Sequence, residues 1–239
     1  MRATICLPTY NERENLERMV IALGEVVRDG DRVLVIDDGS PDGTGAIADG
    51  LAARLPWVGV LHRTTKEGLG PAYLAGFRRA LDDGAELVLE LDCDFSHDPA
   101  DVPRLIAAAE AGADLVLGSR YVRGGSIPNW GALRRFVSVG GNIYAQVFLQ
   151  SRIRDLTGGF KCFRRNVLET IPLDAIDAKG YAFQIETTYR VLRAGFRVVE
   201  IPIAFTDREH GTSKMNGAIV VEAVWKVPLL RLRALAGRL

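Results

Sequence analysis

The sequence predicts an α/β fold: a mainly parallel sheet flanked by helices, with amphipathic helices toward the C-terminus. Three observations carry this. Short apolar runs alternate with helix-patterned stretches through the first half, which implies βαβ crossovers. The polar segments PTYNE, DDGSPDG, DCDFSHD and GSRYVRGG all follow strand ends, so they gather on one edge of the sheet, where open α/β sheets bind ligands. A chain of 239 residues with 48% hydrophobic content is also long enough to bury a sizeable core.

The elements follow in order. RATICLP (2–8) reads as a strand, and NERENLERMVIALGEVV (11–27) as an amphipathic helix with Leu16, Met19, Val20 and Leu23 at helical spacing. DRVLVIDDGS is a second strand ending in acids, 43–55 a helix, and WVGVLHR a third strand. Residues 70–81 form a helix opened by glycines, ELVLELDCD a fourth strand, 98–111 a helix, and ADLVLGSRY a fifth strand. After residue 122 apolar and aromatic residues mix with Arg134, Arg135, Arg152 and Arg154. Residues 159–203 read as a return to the sheet, with FRVVEIPI (196–203) as a strand, and FTDREHGTSKMNG (205–217) as a polar lid. Residues 1–217 are expected to form the main domain, and 218–239 a basic amphipathic helix for contact with a membrane surface or partner.

Composition narrows the function classes. Lys+Arg and Asp+Glu are both 30, so nothing in the global charge points to nucleic acid, and any anion site must be local. Cys6, Cys93 and Cys162 are scattered and lack metal-ligand spacing, which favours reduced thiols in a cytoplasmic setting. Cys93 lies between two acids that discourage a thiolate, so it reads as packing. MRATICLPTY enters a strand at once without the apolar stretch of a signal peptide, and no segment approaches the ~20 apolar residues of a membrane span. A protein that does not cross the membrane by itself is expected.

The acids at the strand ends carry the chemistry. In VLVIDDGSPDGT, Asp38 reads as a carboxylate for the polar edge of a nucleoside, the plainer reading being a solvated turn capped by Ser40 or Asp42. In LVLELDCDFSHDP, Asp92 and Asp94 share a face if the strand continues through them. Paired carboxylates raise one another's pKa unless a cation neutralises them, and a hard divalent ion that also holds phosphates suits them. D-x-D alone is weak; at the end of an apolar strand, on the edge that bears Asp38, it is much stronger. His97 reads as a surface or supporting residue. Arg120, Arg134, Arg135, Arg208 and Lys214 add cations suited to phosphate oxygens, though any one of them could pair with a surface acid.

LPTYNERENL, VIDDGSPDGT, GLGPAYLAGF, LDCDFSHDP, GSRYVRGG, LTGGFKCFRR, KGYAFQIE and FTDREHGTSK occur in that order across nearly the whole chain. Together they resemble the polyprenol/dolichol-phosphate mannosyltransferases of glycosyltransferase family 2, which have the GT-A fold. The resemblance implies inverting transfer of mannose from GDP-mannose to a polyprenyl or dolichyl phosphate, with Mg²⁺ or Mn²⁺ as cofactor. It implies that Pro8, Tyr10, Glu12, Ile36 and Asp38 hold the guanosine. Asp92, Cys93 and Asp94 would bind metal and donor phosphates, with Ser96 as a further metal contact. Arg120, Arg134 and Ser138 would meet the lipid phosphate, and Lys179, Arg208 and Lys214 would close over the donor. Relatives commonly have a small residue where Cys93 stands and glutamine where Ser96 stands. Many bacterial and archaeal relatives also add C-terminal transmembrane helices, which are not expected here.

The lipid phosphate is already an anionic nucleophile, so no general base is assigned, and Asp92, Asp94 and Arg120 are the expected catalytic group. A membrane acceptor requires reach to a bilayer surface. Trp130, Phe136, Ile143, Tyr144, Val147 and Phe148, interleaved with arginines, suit interfacial helices, against the alternative of a core or dimer face. The expected place is peripheral, at the cytoplasmic face, with a membrane-anchored protein as a further candidate partner. The rival readings are another donor, such as UDP-glucose to undecaprenyl phosphate, and a non-catalytic nucleotide-sugar binding module. A sugar nucleotidyltransferase is disfavoured because LPTYNERENL is not a glycine-rich basic loop.

Overall fold

The structure, a computed structural model, describes residues 1–239 except 129, 177, 179, 208–216 and 238, and only the backbone of 181, 217–221 and 223. The strands are Ala3–Thr9 (β1), Arg32–Asp37 (β2), Val58–His62 (β3), Leu87–Glu90 (β4), Leu115–Ser119 (β5), Lys161–Arg164 (β6) and Val198–Pro202 (β7). The helices are Leu16–Gly24 (α1), Thr44–Arg54 (α2), Leu69–Asp82 (α3), Val102–Glu110 (α4), Ala132–Leu149 (α5), Arg165–Thr170 (α6), Gly180–Arg193 (α7) and Gly217–Leu235 (α8).

Alternation along the strands builds two cores, because successive side chains of a strand point to opposite faces. Ile5, Leu7, Val33, Val35, Leu87, Leu89 and Val116 bury on one face with Leu16, Met19, Leu51, Leu105 and Ile106 of α1, α2 and α4. Cys6, Leu34, Ile36, Val88, Leu115 and Leu117 bury on the other with Phe77 of α3, Phe183 of α7 and Val227 and Leu230 of α8. A sheet covered on both faces explains the nearly continuous apolar strands.

The strand order is β3-β2-β1-β4-β6-β5-β7. Only β6 runs against its neighbours, pairing antiparallel with both β4 and β5. The segment that leads into β6, Gly158–Gly159, therefore reaches the same edge as the C-terminal ends of β1, β2, β4 and β5.

The expected mainly parallel sheet forms, with corrections at its margins. The first helix begins at Leu16 rather than residue 11, because Glu12 turns the chain: its carbonyl accepts the Asn15 and Leu16 amides at 3.0 and 2.9 Å. The fourth strand stops at Glu90 rather than running to 94, since its partner ladders end at Cys6↔Glu90 and Glu90↔Lys161. Residue 98 caps a short 3-10 turn, Pro99–Asp101, before α4 begins. The 159–203 return to the sheet also contains α7, which the sequence reading omitted.

Close approach of α3 to the sheet depends on Gly76. A Cβ there would collide with Ile36 Cδ1 and come within 3.2 Å of Cys6 Sγ. Gly76→Val is expected to destabilise the protein by about 1–3 kcal/mol through overpacking, because a β-branched residue recovers little of glycine's helix penalty. A lower urea midpoint at unchanged slope is the readout; an unchanged midpoint would mean α3 can lift away freely.

Candidate active site

The edge is assembled where the ladders run out. Beyond Glu90 the chain leaves the sheet and turns through Asp92–Ser96, with Phe95 at φ 59°. Asp92 and Asp94 therefore belong to a turn and not to one strand face, which corrects the reason expected for their pairing. Asp94 is buried and accepts the Ser96 amide at 3.0 Å; Asp92 is partly exposed and accepts from the Tyr73 hydroxyl of α3 at 3.2 Å. Tyr73 is fully buried and stacked between Phe77 and Phe183. Cys93 is buried in the α1/α4 core, in line with its reading as packing. Ser96 is buried, and its carbonyl accepts the Thr206 amide at 3.1 Å.

His97 is not a surface residue. It is 2% exposed, packed against Phe160 and Phe205, and its Nδ1 has no hydrogen-bond partner. Burial, reinforced by the nearby Arg120 charge, pushes its pKa down to about 4, so it is neutral near pH 7.

At the nucleoside end, Pro8 and Ile36 are register partners across β1 and β2. The Ile36 side chain is wholly buried in the core, so only its backbone can meet a ligand. Asp38 is buried and receives Arg63 Nη1 and, at 3.3 Å, the Gly68 amide. Tyr10 lies under the Lys66 ammonium, 3.9 Å from ring centroid to Nζ. Glu12 accepts from Asn15 Nδ2 at 2.8 Å, and its amide donates to Thr44 Oγ1 at 3.0 Å. Arg63 and Lys66 are site neighbours that sequence reasoning missed.

The cations expected for the acceptor phosphate are already engaged with acids. Arg120 is 5% exposed and forks onto Asp155, Nε to Oδ2 at 2.7 Å and Nη2 to Oδ1 at 2.6 Å, with Nη2 also 2.8 Å from Thr157 Oγ1. Burial alone would raise the Asp155 pKa, but the Arg120 charge and hydrogen bonds hold it below the usual carboxylate range. Asn142 of α5 joins the network, donating to Thr157 Oγ1 at 3.0 Å and accepting the Leu156 amide at 2.9 Å. Arg134 is exposed, ion-paired with Asp207 and 4.0 Å over the Trp130 ring. Ser138 shares a 2.7 Å hydrogen bond with the Tyr121 hydroxyl. Lys179, Arg208 and Lys214, and with them most of the expected lid, lie outside the described residues. Asp155 was legible only as part of RDLTGG, with nothing to mark it as the partner of a residue 35 positions away.

Beneath the turn, Glu90 of β4 and Lys161 of β6 face each other across the ladder, both fully buried. Burial raises Glu90 to about 7 despite Lys161 and the Gln184 amide nearby, and lowers Lys161 to about 8 despite Glu90 and Asp155. Lys161 Nζ donates to the Gln184 carbonyl at 2.9 Å. Glu186, two residues further along α7, is buried in an ion pair with Arg190.

Two hard carboxylates at the edge, one of them partly exposed, fit a Mg²⁺- or Mn²⁺-type ion that completes its shell with water and phosphate oxygens. Among the described residues no group of three or more His, Cys, Asp or Glu forms a protein-only cage.

The profile of Glycosyl transferase family 2 matches residues 4–172. The chain is 51% identical over 227 residues to the polyprenol monophosphomannose synthase of Mycolicibacterium smegmatis, covering 95% of this chain and 85% of that protein. It is 49% identical over 227 residues to the undecaprenyl-phosphate mannosyltransferase of Micrococcus luteus, covering 95% and 93%. Among solved structures, glucosyl-3-phosphoglycerate synthase from Mycobacterium tuberculosis, crystallised with Mn²⁺, UDP-glucose and phosphoglyceric acid, matches with TM-score 0.69 at 20% identity. That match covers 96% of this chain and 79% of that one, and is a likeness of fold.

The buried fork yields a direct test. Asp155→Ala strands a buried guanidinium and is expected to cost about 3–5 kcal/mol in urea denaturation, whereas Asp155→Leu combined with Arg120→Met recovers most of that loss. Equal losses in the single and double variants would show that Asp155 acts through something other than Arg120.

Proposed function

Because the chain belongs to glycosyl transferase family 2 and has its GT-A fold, we propose that it transfers mannose from GDP-mannose to a polyprenyl monophosphate. The observation that carries this reading is the near-half identity, over 95% of the chain, with two enzymes named for mannosyl transfer to polyprenyl lipids. The arrangement of the edge supports it. Asp38 lies at the end of β2, the Asp92–Asp94 turn beyond β4 and Arg120 beyond β5, an order that suits nucleoside, diphosphate and acceptor in sequence along the sheet.

A divalent cation held by Asp92 and Asp94, with Ser96 beside them, supplies neutralisation of the leaving diphosphate when bound. The remaining work falls to the protein. Pro8, Tyr10, Glu12, the Ile36 backbone and Asp38 seat the guanosine, with Asp38 held in place by Arg63. Arg120 and Ser138 orient the lipid phosphate, with Arg134 at the rim, so that a phosphate oxygen attacks the anomeric carbon from the face opposite GDP. The C–O bond to GDP breaks, its electron pair leaves with GDP, and the configuration inverts. The nucleophile is already anionic, so no base is needed. The buried neutral His97 and the ion-paired Glu186 suit that vacancy. Lys179, Arg208 and Lys214 are assigned to closure over the donor.

Contact with a bilayer is assigned to α5 and α8. Leu133, Phe136 and Val147 of α5 and Trp225 and Leu235 of α8 are each at least two-thirds exposed, and Ile143, Phe148 and Leu232 are exposed as well. Arg134 and Arg135 stand among them. Trp130 and Tyr144 are turned to internal contacts instead, on Arg134 and on the Val224 carbonyl. No helix among the described residues is long and apolar enough to cross a membrane. Peripheral binding at the cytoplasmic face, alone or beside a membrane-anchored protein, follows from this reading.

A radiolabelled assay with GDP- and UDP-sugars against polyprenyl and dolichyl phosphates tests the donor and acceptor together. Mannolipid from GDP-mannose, abolished by a chelator and restored by Mg²⁺ or Mn²⁺, is the expected result. Asp94→Ala should lower turnover by about a hundredfold or more. Preference for a UDP-sugar would replace the donor assignment, and undiminished Asp94→Ala activity would remove the metal from it. Phe136→Ser combined with Trp225→Ser should reduce sedimentation with anionic vesicles while leaving turnover of a short-chain soluble acceptor intact.

A further inference from the structure

We propose that Gln184 reads a hydroxyl of the transferred hexose, across a notch that exists only because residue 159 is glycine. The inference rests on the nucleotide-sugar reading above and deepens it. Gly159 is partly exposed at the edge, just before β6. A Cβ placed on it would stand 3.4 Å from Gln184 Nε2 and 3.7 Å from Asp92 Oδ2. One small space thus adjoins both the α7 carboxamide and the carboxylate of the D-x-D turn, and any side chain at 159 would fill it.

Gln184 is 2% exposed, yet neither its Oε1 nor its Nε2 completes a hydrogen bond within the protein. Its amide leans on the Glu90 carboxylate, a contact that holds the Glu90 pKa down against the rise caused by burial but falls short of full hydrogen-bond geometry, so both groups keep capacity for a further partner. Leaving such groups unmade costs about 1–3 kcal/mol each, so buried amides ordinarily have a partner. The side chain is not needed for the neighbouring lysine, because Lys161 takes the Gln184 backbone carbonyl. A hydroxyl in the notch satisfies the arrangement, since it accepts from the amide N–H and donates to a carboxylate or carboxamide oxygen.

Position along the edge identifies which part of the ligand arrives there. Asp38 is on β2, the Asp92–Asp94 turn follows β4, and Gly159 precedes β6, the next strand in the sheet. A nucleoside diphosphate sugar laid from β2 toward β4 places its hexose at β6. A site built to hydrogen-bond a hydroxyl discriminates strongly against a sugar that cannot present one there.

Calorimetric titration with GDP-mannose and with GDP, both with Mn²⁺, separates this role from a structural one. Gln184→Leu and Gly159→Ala are the variants. Gly159 has ordinary φ, and no neighbouring atom lies closer than 3.4 Å to an added Cβ, so the alanine variant retains the fold. In both variants the GDP-mannose Kd is expected to rise by at least about tenfold, as for one lost hydrogen bond of about 1.4 kcal/mol, while the GDP Kd stays within about twofold. Unchanged GDP-mannose affinity, or a parallel loss for GDP, overturns the assignment. If the wild-type protein prefers UDP and a UDP-sugar, the donor reading fails, and the same comparison on that pair still decides the role of Gln184.

Discussion

The reversed strand β6 is the constraint on which the edge depends. Set antiparallel between β4 and β5, it sends Gly158–Gly159 to the edge where the parallel strands end. It also places Lys161 opposite Glu90 in the middle of the sheet. A parallel strand in that position would bring its polar lead-in to the far edge, and the D-x-D turn would have no neighbour on that side. Burial pushes both toward their neutral forms, Glu90 up to about 7 and Lys161 down to about 8, and the charge of each opposes that push on the other.

The same economy of charge runs along the rest of the edge. Asp38 holds Arg63, Asp155 holds Arg120 and Asp207 holds Arg134. A chain with 30 basic and 30 acidic residues can therefore line an anion site without a net basic surface. The pairings differ in kind. The Arg120–Asp155 fork is buried and ties β5, the loop before β6 and α5 into one network, so it sets positions. The Arg134–Asp207 pair is half exposed, and water and salt screen it.

Much of this was legible in the sequence where local pattern decides the outcome. Short apolar runs located six of the seven strands, and turn chemistry located the acids at their ends. Legibility stopped where partners are far apart in the chain. The direction of β6 depends on which strands flank it, not on KCFR itself. The α7 segment GYAFQIETTYR hides its helical face because buried Gln184, Glu186 and Thr188 occupy positions that a periodicity count treats as solvent-facing. The fourth strand was read too long because DCD continues its alternation, although the neighbouring ladders end at Glu90. Ile36 shows a related limit: the motif marks its position, but burial leaves only its backbone for a ligand.

Gly76 and Tyr73 lie on the same helix, nearly one turn apart. The first sets how deeply α3 settles on Ile36 and Cys6, and the second lends its hydroxyl to Asp92. The seating depth of a helix is thereby transmitted to a carboxylate at the edge of the sheet. For this fold, mechanical tolerance in the core and geometric tolerance at the edge are a single quantity, and drift at an inert glycine would register as a displaced Asp92 carboxylate.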